Sequence, residues 1–249
     1  MSELKFPTEV VELPSKGLIY PADNPLSSGK IEIKYMTAKE EDILTNQNYI
    51  KDGTVLDKLL KSLIVSKINF EDLIVGDKNA IMVAARILGY GKEYTFKYKN
   101  EEVTVDLTAL EPRFLDETNV VEKGANKFEF TMPSSGTKIE FKLLTGKDDN
   151  VIKQEIKGFQ KLNKLASPEL STRLKHMILS VDGDTEKKTI REYVDNYCLA
   201  RDSRALREYI RSFQPDVDLT FNYESTDGIE EGVTLPMTVT FFWPDAELS

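Results

Sequence analysis

The chain holds one histidine, His176, and one cysteine, Cys198, and those two residues bound the chemistry open to it. A Ser-His-Asp hydrolase would depend wholly on His176. A Cys-His nucleophile pair is formally available, but no oxyanion-hole motif accompanies it. One cysteine excludes an internal disulfide and any multi-cysteine zinc site, so neither a metal nor a cofactor is expected. His176 stands between Leu174 and Ile178-Leu179 in a helical pattern and reads as a surface or boundary residue. Cys198 follows Tyr193 and Tyr197 and reads as a small apolar group.

Carboxylates cluster at Glu40-Glu41-Asp42, Asp148-Asp149 and Glu230-Glu231, as a glycosidase or a metal-dependent nuclease would use them. Most of them fall in first helical turns, where they complement the helix dipole, or in a hairpin turn. Ser28-Gly29-Lys30 lacks the second glycine and the following Ser or Thr of a phosphate loop, because positions 24 and 31 are Asn and Ile. It reads as a turn before a strand. Gly89-Tyr-Gly91-Lys92 has too few glycines for a dinucleotide loop and follows a helix, so it reads as a helix stop.

The remaining chemistry is that of surfaces. Arg204, Arg207 and Arg211 recur at spacings of three and four and share a helix face. That stripe could grip an acidic partner, or pair within the molecule with Asp216, Asp218 or the acidic turns. Phe241-Phe242-Trp243-Pro244 contains the one tryptophan. Alternation of Val239, Phe241 and Trp243 predicts a terminal strand that buries one side and leaves Phe242 or Trp243 for a partner. Leu13 and Tyr20, in the Pro-punctuated N-terminal stretch, are further expected partner contacts.

These residues must be positioned by an α+β fold, a helical body with an extended N-terminal β segment and several antiparallel hairpins. Lys30–Met36 alternates cleanly and predicts a strand. Thr37 with Glu40 has capping-box spacing before a short helix. Helices are expected from Val55 to Val65, Asp77 to Leu88, Asp148 to Leu165, Pro168 to Val181, Lys188 to Ala200 and Asp202 to Phe213, the last capped by Asp202 or Ser203. Lys127–Met132 and Lys138–Leu143 predict a hairpin across Pro133-Ser-Ser-Gly136. Tyr94-Thr-Phe-Lys-Tyr98 with Val103–Thr108 is echoed by Leu219-Thr-Phe-Asn-Tyr223 with Val233–Thr238, so 94–108 and 219–238 read as one hairpin used twice. The organisation reads as 1–36, a segment 37–115 and a segment 127–249, or as one continuous domain.

A net charge of -9 argues against a sequence-independent nucleic-acid binder, which needs a basic surface to displace counterions. No apolar run is long enough to span a membrane, and the first residues lack a signal-peptide pattern, so a cytoplasmic location is expected.

Five stretches in order carry a resemblance. They are Glu12-Leu-Pro-Ser-Lys-Gly-Leu-Ile-Tyr-Pro21, Tyr35–Leu44, Val75–Ala80 with Arg86–Gly91, Asp202–Arg207 and Phe241-Phe-Trp-Pro244. Together they resemble the baseplate hub assembly proteins of T-even-type bacteriophages over residues 10 to 244. The resemblance implies a non-enzymatic late protein that helps build the central hub of a contractile tail, with other hub or tail proteins as partners. It would act in the host cytoplasm, either retained in the virion or leaving as a chaperone. Some relatives carry Cys-x-x-Cys turns where this chain has Asn100-Glu-Glu and Glu224-Ser-Thr-Asp-Gly, so both hairpins must stand without metal. The rival expectation is a carboxylate-dependent hydrolase or nuclease, and a further one is a general tail-protein chaperone absent from the mature particle.

Overall fold

The computed structural model describes residues 7–162, 168–225 and 228–242. Strands β1 (Thr8–Glu12) and β2 (Lys30–Lys34) pair antiparallel. Helices α1 (Ala38–Leu44), α2 (Gln47–Lys51), α3 (Val55–Leu63) and α4 (Val75–Tyr90) follow. A hairpin of β3 (Glu93–Tyr98) and β4 (Glu101–Asp106) comes next, then the short β5 (Pro112–Arg113). The second half opens with β6 (Phe128–Thr131) and β7 (Lys138–Phe141), then α5 (Gly146–Leu162), α6 (Glu169–Met177), β8 (Ile178–Val181) and α7 (Lys187–Glu192). It closes with α8 (Ala200–Phe213), β9 (Asp216–Val217), the hairpin β10 (Thr220–Ser225) and β11 (Gly228–Thr234), and α9 (Val239–Phe242). The sheets are small and antiparallel, with two or three strands each, so the fold is α+β as expected. Among the described residues, no helix is long and apolar enough to cross a membrane.

The two expected hairpins form, and they are the end of a longer repeat. Lys30-Ile-Glu-Ile-Lys34 leads through Thr37 into α1, and Lys138-Ile-Glu-Phe-Lys142 leads through Thr145 into α5. In the first copy, the backbone N–H and hydroxyl of Thr37 both donate to Glu40, while Lys34 donates to the other oxygen at 2.7 Å. In the second, Thr145 donates to Asp148 in the same two ways and Lys142 donates at 2.6 Å. Burial alone would raise both carboxyls, but these hydrogen bonds hold each below the usual range.

The next blocks match as well. Leu60-Lys-Ser-Leu-Ile-Val-Ser66 corresponds to Leu174-Lys-His-Met-Ile-Leu-Ser180. Ile64 bridges Ile33, and Ile178 pairs with Phe141 at the same place in its copy. Ser66 accepts from the N–H of Glu32, and Ser180 donates to the side chain of Glu140. The third residues of α4 and α8, Asp77 and Asp202, are both fully buried. Each reaches into the loop of its half's first hairpin, at Leu13-Pro-Ser and Met132-Pro-Ser respectively.

The repeated final hairpins face one another. Phe96 meets Phe221 edge-on at 5.3 Å between ring centroids, and Tyr98 meets Tyr223 at 5.0 Å. Tyr98 sits opposite Glu101 in its hairpin, and Tyr223 sits opposite Glu230. The hydroxyls cross over: Tyr98 donates to Glu230 at 3.2 Å and Tyr223 to Glu101 at 2.6 Å. Equivalent residues exchanging equivalent bonds is the pattern of a two-fold interface, here within one chain.

Four expectations change. The second strand of the late hairpin, expected at Val233–Thr238, is Gly228–Thr234, because Tyr223 pairs with Glu230 and draws the expected turn residues into the strand. The helix expected to run to Val181 ends at Met177, because Ile178–Val181 is drawn into the sheet by β7. The helix expected from Lys188 to Ala200 breaks up after Glu192 into a π-turn over Tyr193–Tyr197. The expected terminal strand is instead the helical turn α9, with Phe241 and Phe242 both fully buried and set edge-on at 5.2 Å.

Candidate functional site

The α8 helix buries Ser203, Leu206, Ile210 and Phe213, a three-four-three spacing that fixes which face meets the core. Arg204, Arg207 and Arg211 fall on the exposed side. Arg204 pairs with Glu208 at 2.7 Å, one turn along. Arg207 donates back to the carbonyl of Ser203, and the carbonyl of Arg211 accepts from Arg113. Glu208 is held below the usual carboxylate range by Arg204 first, then by Arg211 and Arg207. Asp216 accepts from Asn79, and Asp218 from Thr220. The stripe is therefore solvent-facing.

The other expected contact residues are not surface residues. Leu13 is fully buried in the core, and its N–H donates to Gly29. Tyr20 is buried because its hydroxyl donates to Asp77 at 2.6 Å while accepting from the N–H of Ile74. Phe242 is buried in α9, and Trp243 lies outside the described residues. Asp202 does not cap its own helix, since Leu199 holds the cap position. Its two oxygens accept from the N–H groups of Ser134 and Ser135 at 2.7 and 3.0 Å.

Three buried polar ties emerge from the stretches that carried the resemblance. Asp77 accepts from the Ser15 N–H, the Ser15 hydroxyl and Tyr20. Burial pushes its carboxyl up to about 6, against the lowering pull of the Tyr20 and Ser15 hydrogen bonds and with a further upward push from Asp216. Asp202 ties α8 to the β6–β7 turn, and its backbone donors overcome burial to keep its carboxyl low. Arg86 donates from its three guanidinium nitrogens to the carbonyls of Phe241, Gly91 and Glu93 at 2.6, 3.0 and 3.1 Å, closing α4 onto α9 and β3. Sequence reasoning missed these ties. The signal was present in the Pro-Ser pairs after Leu13 and Met132 and in the aspartate at one position of two helices.

A concavity of about 710 Å³ lies on the β6–β7–β8 sheet, where Glu129, Glu140 and Asp182 line it. Glu140 is bound by Lys127 at 2.6 Å and by Ser180 at 2.9 Å, which hold it ionised. Asp182 accepts from the N–H of Lys138. His176 lines a second cavity of about 430 Å³ and meets Glu155 at 2.9 Å. Cys198 lines a third cavity, and burial pushes its thiol up, away from the nucleophilic thiolate. Among the described residues, no three His, Cys, Asp or Glu side chains gather as a metal site. Comparison with protein families, with curated proteins and with solved structures returned no match.

Proposed function

We propose that this chain is a non-enzymatic assembly protein of a contractile phage tail, which promotes assembly of the baseplate central hub or forms part of it. Its partners are other hub or tail proteins, met in the host cytoplasm during assembly. The observation that carries the reading is the use made of Ser15, Tyr20, Asp77, Arg86 and Asp202. These polar side chains of the resembling stretches are spent on holding the fold, each bound to a residue far away in the chain. What remains for partners is surface, including the exposed arginine stripe of α8.

The test is recovery of tagged protein from phage-infected cells in late infection, comparing the native chain with Arg204→Glu/Arg207→Glu. The native chain is expected to bring down hub or tail proteins, and the variant to bring down fewer. Equal recovery by both would retire the stripe as the contact.

A second reading is favoured by one observation, the three carboxylates around the concavity on the β6–β7–β8 sheet. A carboxylate-dependent hydrolase or nuclease would place its chemistry there. Against it, Glu140 is bound on both oxygens and held low, so it cannot serve as a general acid near neutral pH. Its serine partner also has a counterpart beside Glu32 in the other half, as an architectural pair would. Hydrolysis lost in Glu140→Gln/Asp182→Asn would establish the enzyme instead.

A further inference from the structure

One set of contacts between the two halves joins the start of α4 to the start of α5 and has no reciprocal. Ile74 bridges Thr145, the carbonyl of Leu73 accepts from the N–H of Gly146, and Lys147 pairs with Asp72. The start of α4 in the first half thus covers the start of α5 in the second. By the repeat, both surfaces occur once more. Leu199 stands three residues before Asp202 as Ile74 stands before Asp77, and Thr37-Ala38 opens α1 as Thr145-Gly146 opens α5. Ile74 is 2% exposed, whereas its twin Leu199 is 51% exposed. Gly146 is buried, whereas its twin Ala38 is exposed. Each covered surface has an uncovered twin.

We propose that the twins cover each other between copies of this chain, the start of α1 in one copy seating on the start of α8 in the next. The internal contact is the template, and the substitutions fit a second use of it. At the internal contact a methyl group on Gly146 would lie 2.9 Å from both the ammonium of Lys78 and a carboxylate oxygen of Glu71. At the twin contact, Ala38 brings that methyl group and Ser203 replaces Lys78 with a shorter side chain. Ser203 lines a cavity of about 340 Å³ beside Leu170, Cys198 and Ala200, and its buried hydroxyl has no hydrogen-bond partner among the described residues. The surrounding rim exposes Tyr197 and Leu199. The ion pair of the internal contact, Lys147 with Asp72, becomes Lys39 with Tyr197 at the twin contact, a cation set against an aromatic ring.

One point differs. Gly76 lies so close to the carbonyl of Pro215 that a Cβ there would stand 1.9 Å away, and its twin is Arg201. The contact between copies therefore stands further apart at that point than the contact inside the chain. Because the two surfaces are unlike, the association is head-to-tail, and it closes into a ring or runs on.

Analytical ultracentrifugation with two blocking variants tests this. Leu199→Asp blocks one surface and Ala38→Arg the other, both at exposed positions where circular dichroism should be unchanged. The native chain is expected to form dimers and larger species as concentration rises, and each variant alone is expected to stay monomeric. An equimolar mixture of the two variants should stop at a one-to-one dimer, since it holds one intact surface of each kind. A native chain that stays monomeric up to its solubility limit would overturn the proposal. So would either variant associating alone like the native chain, or a mixture that fails to pair.

Discussion

Replacing Asp77 by Asn removes a carboxylate that the fold holds wholly out of water, and its effect should depend on pH in a way that can be computed. Burial raises the Asp77 carboxyl from 3.8 to about 6. The folded state then binds this proton more tightly than the unfolded state, so stability falls as pH rises from about 4 to about 6. Between pH 7 and pH 5 that linkage makes the native protein more stable at the lower pH by about 1 kcal/mol. In Asp77→Asn the increment disappears, while every other titrating group remains in both proteins and cancels in the comparison. The assay is urea unfolding of both proteins at the two pH values. Asp202→Asn serves as the contrast. Its carboxyl is held low, so its stabilisation is present at both pH values and begins to be lost only as pH falls toward the ordinary carboxylate range. An amide there would turn a donor toward the N–H of Ser134 or Ser135, and the lost charge-assisted bond with the stranded donor costs about 2–4 kcal/mol. Identical pH 7 to pH 5 changes for the native protein and Asp77→Asn would mean that Asp77 does not bind a proton more tightly in the folded state.

Other outcomes follow from the same contacts. Phe221→Ala should cost about 3 kcal/mol and speed amide exchange in residues 94–98, because Phe96 and Tyr98 both rest on that ring; exchange unchanged in that strand would count against the paired hairpins. Gly76→Ala should lower thermal stability by at least about 1–3 kcal/mol, since its Cβ would collide with the carbonyl of Pro215. Arg204→Glu/Arg207→Glu should leave the melting temperature nearly unchanged, because solvent screens exposed ion pairs such as Arg204–Glu208 and leaves them little share in stability. A large fall in melting temperature would mean that the stripe is structural.

The sequence showed what is local. Alternation in Lys30–Lys34 marked β2, the Thr37–Glu40 spacing marked the start of α1, and the matched aromatics of 94–98 and 219–223 marked paired hairpins. It hid what is decided at a distance. Ile178–Val181 continues an apolar helical pattern, and only pairing with β7 makes it a strand. Leu13 and Tyr20 lie among prolines and glycines that read as surface, yet Asp77 holds that loop inside from far along the chain. The wider repeat was readable in Lys30-Ile-Glu and Lys138-Ile-Glu. It was obscured because the loop after Leu13-Pro-Ser is much longer than the one after Met132-Pro-Ser, which breaks the spacing between matching blocks. For the candidate site, the arginine stripe was legible from helical spacing alone. Which aromatic and apolar residues are left for partners was not, because burial of Phe242 depends on Arg86 closing α4 onto the carbonyl of Phe241.

The proposed role, holding other tail proteins, can be measured in the infected cell. Quantitative mass spectrometry of isolated hub intermediates and mature particles from infected cells measures that most directly. The chain is expected in stoichiometric amounts with hub intermediates, whether or not it persists in the finished particle. Its absence from every intermediate, with the free protein turning over a substrate, would contradict that role.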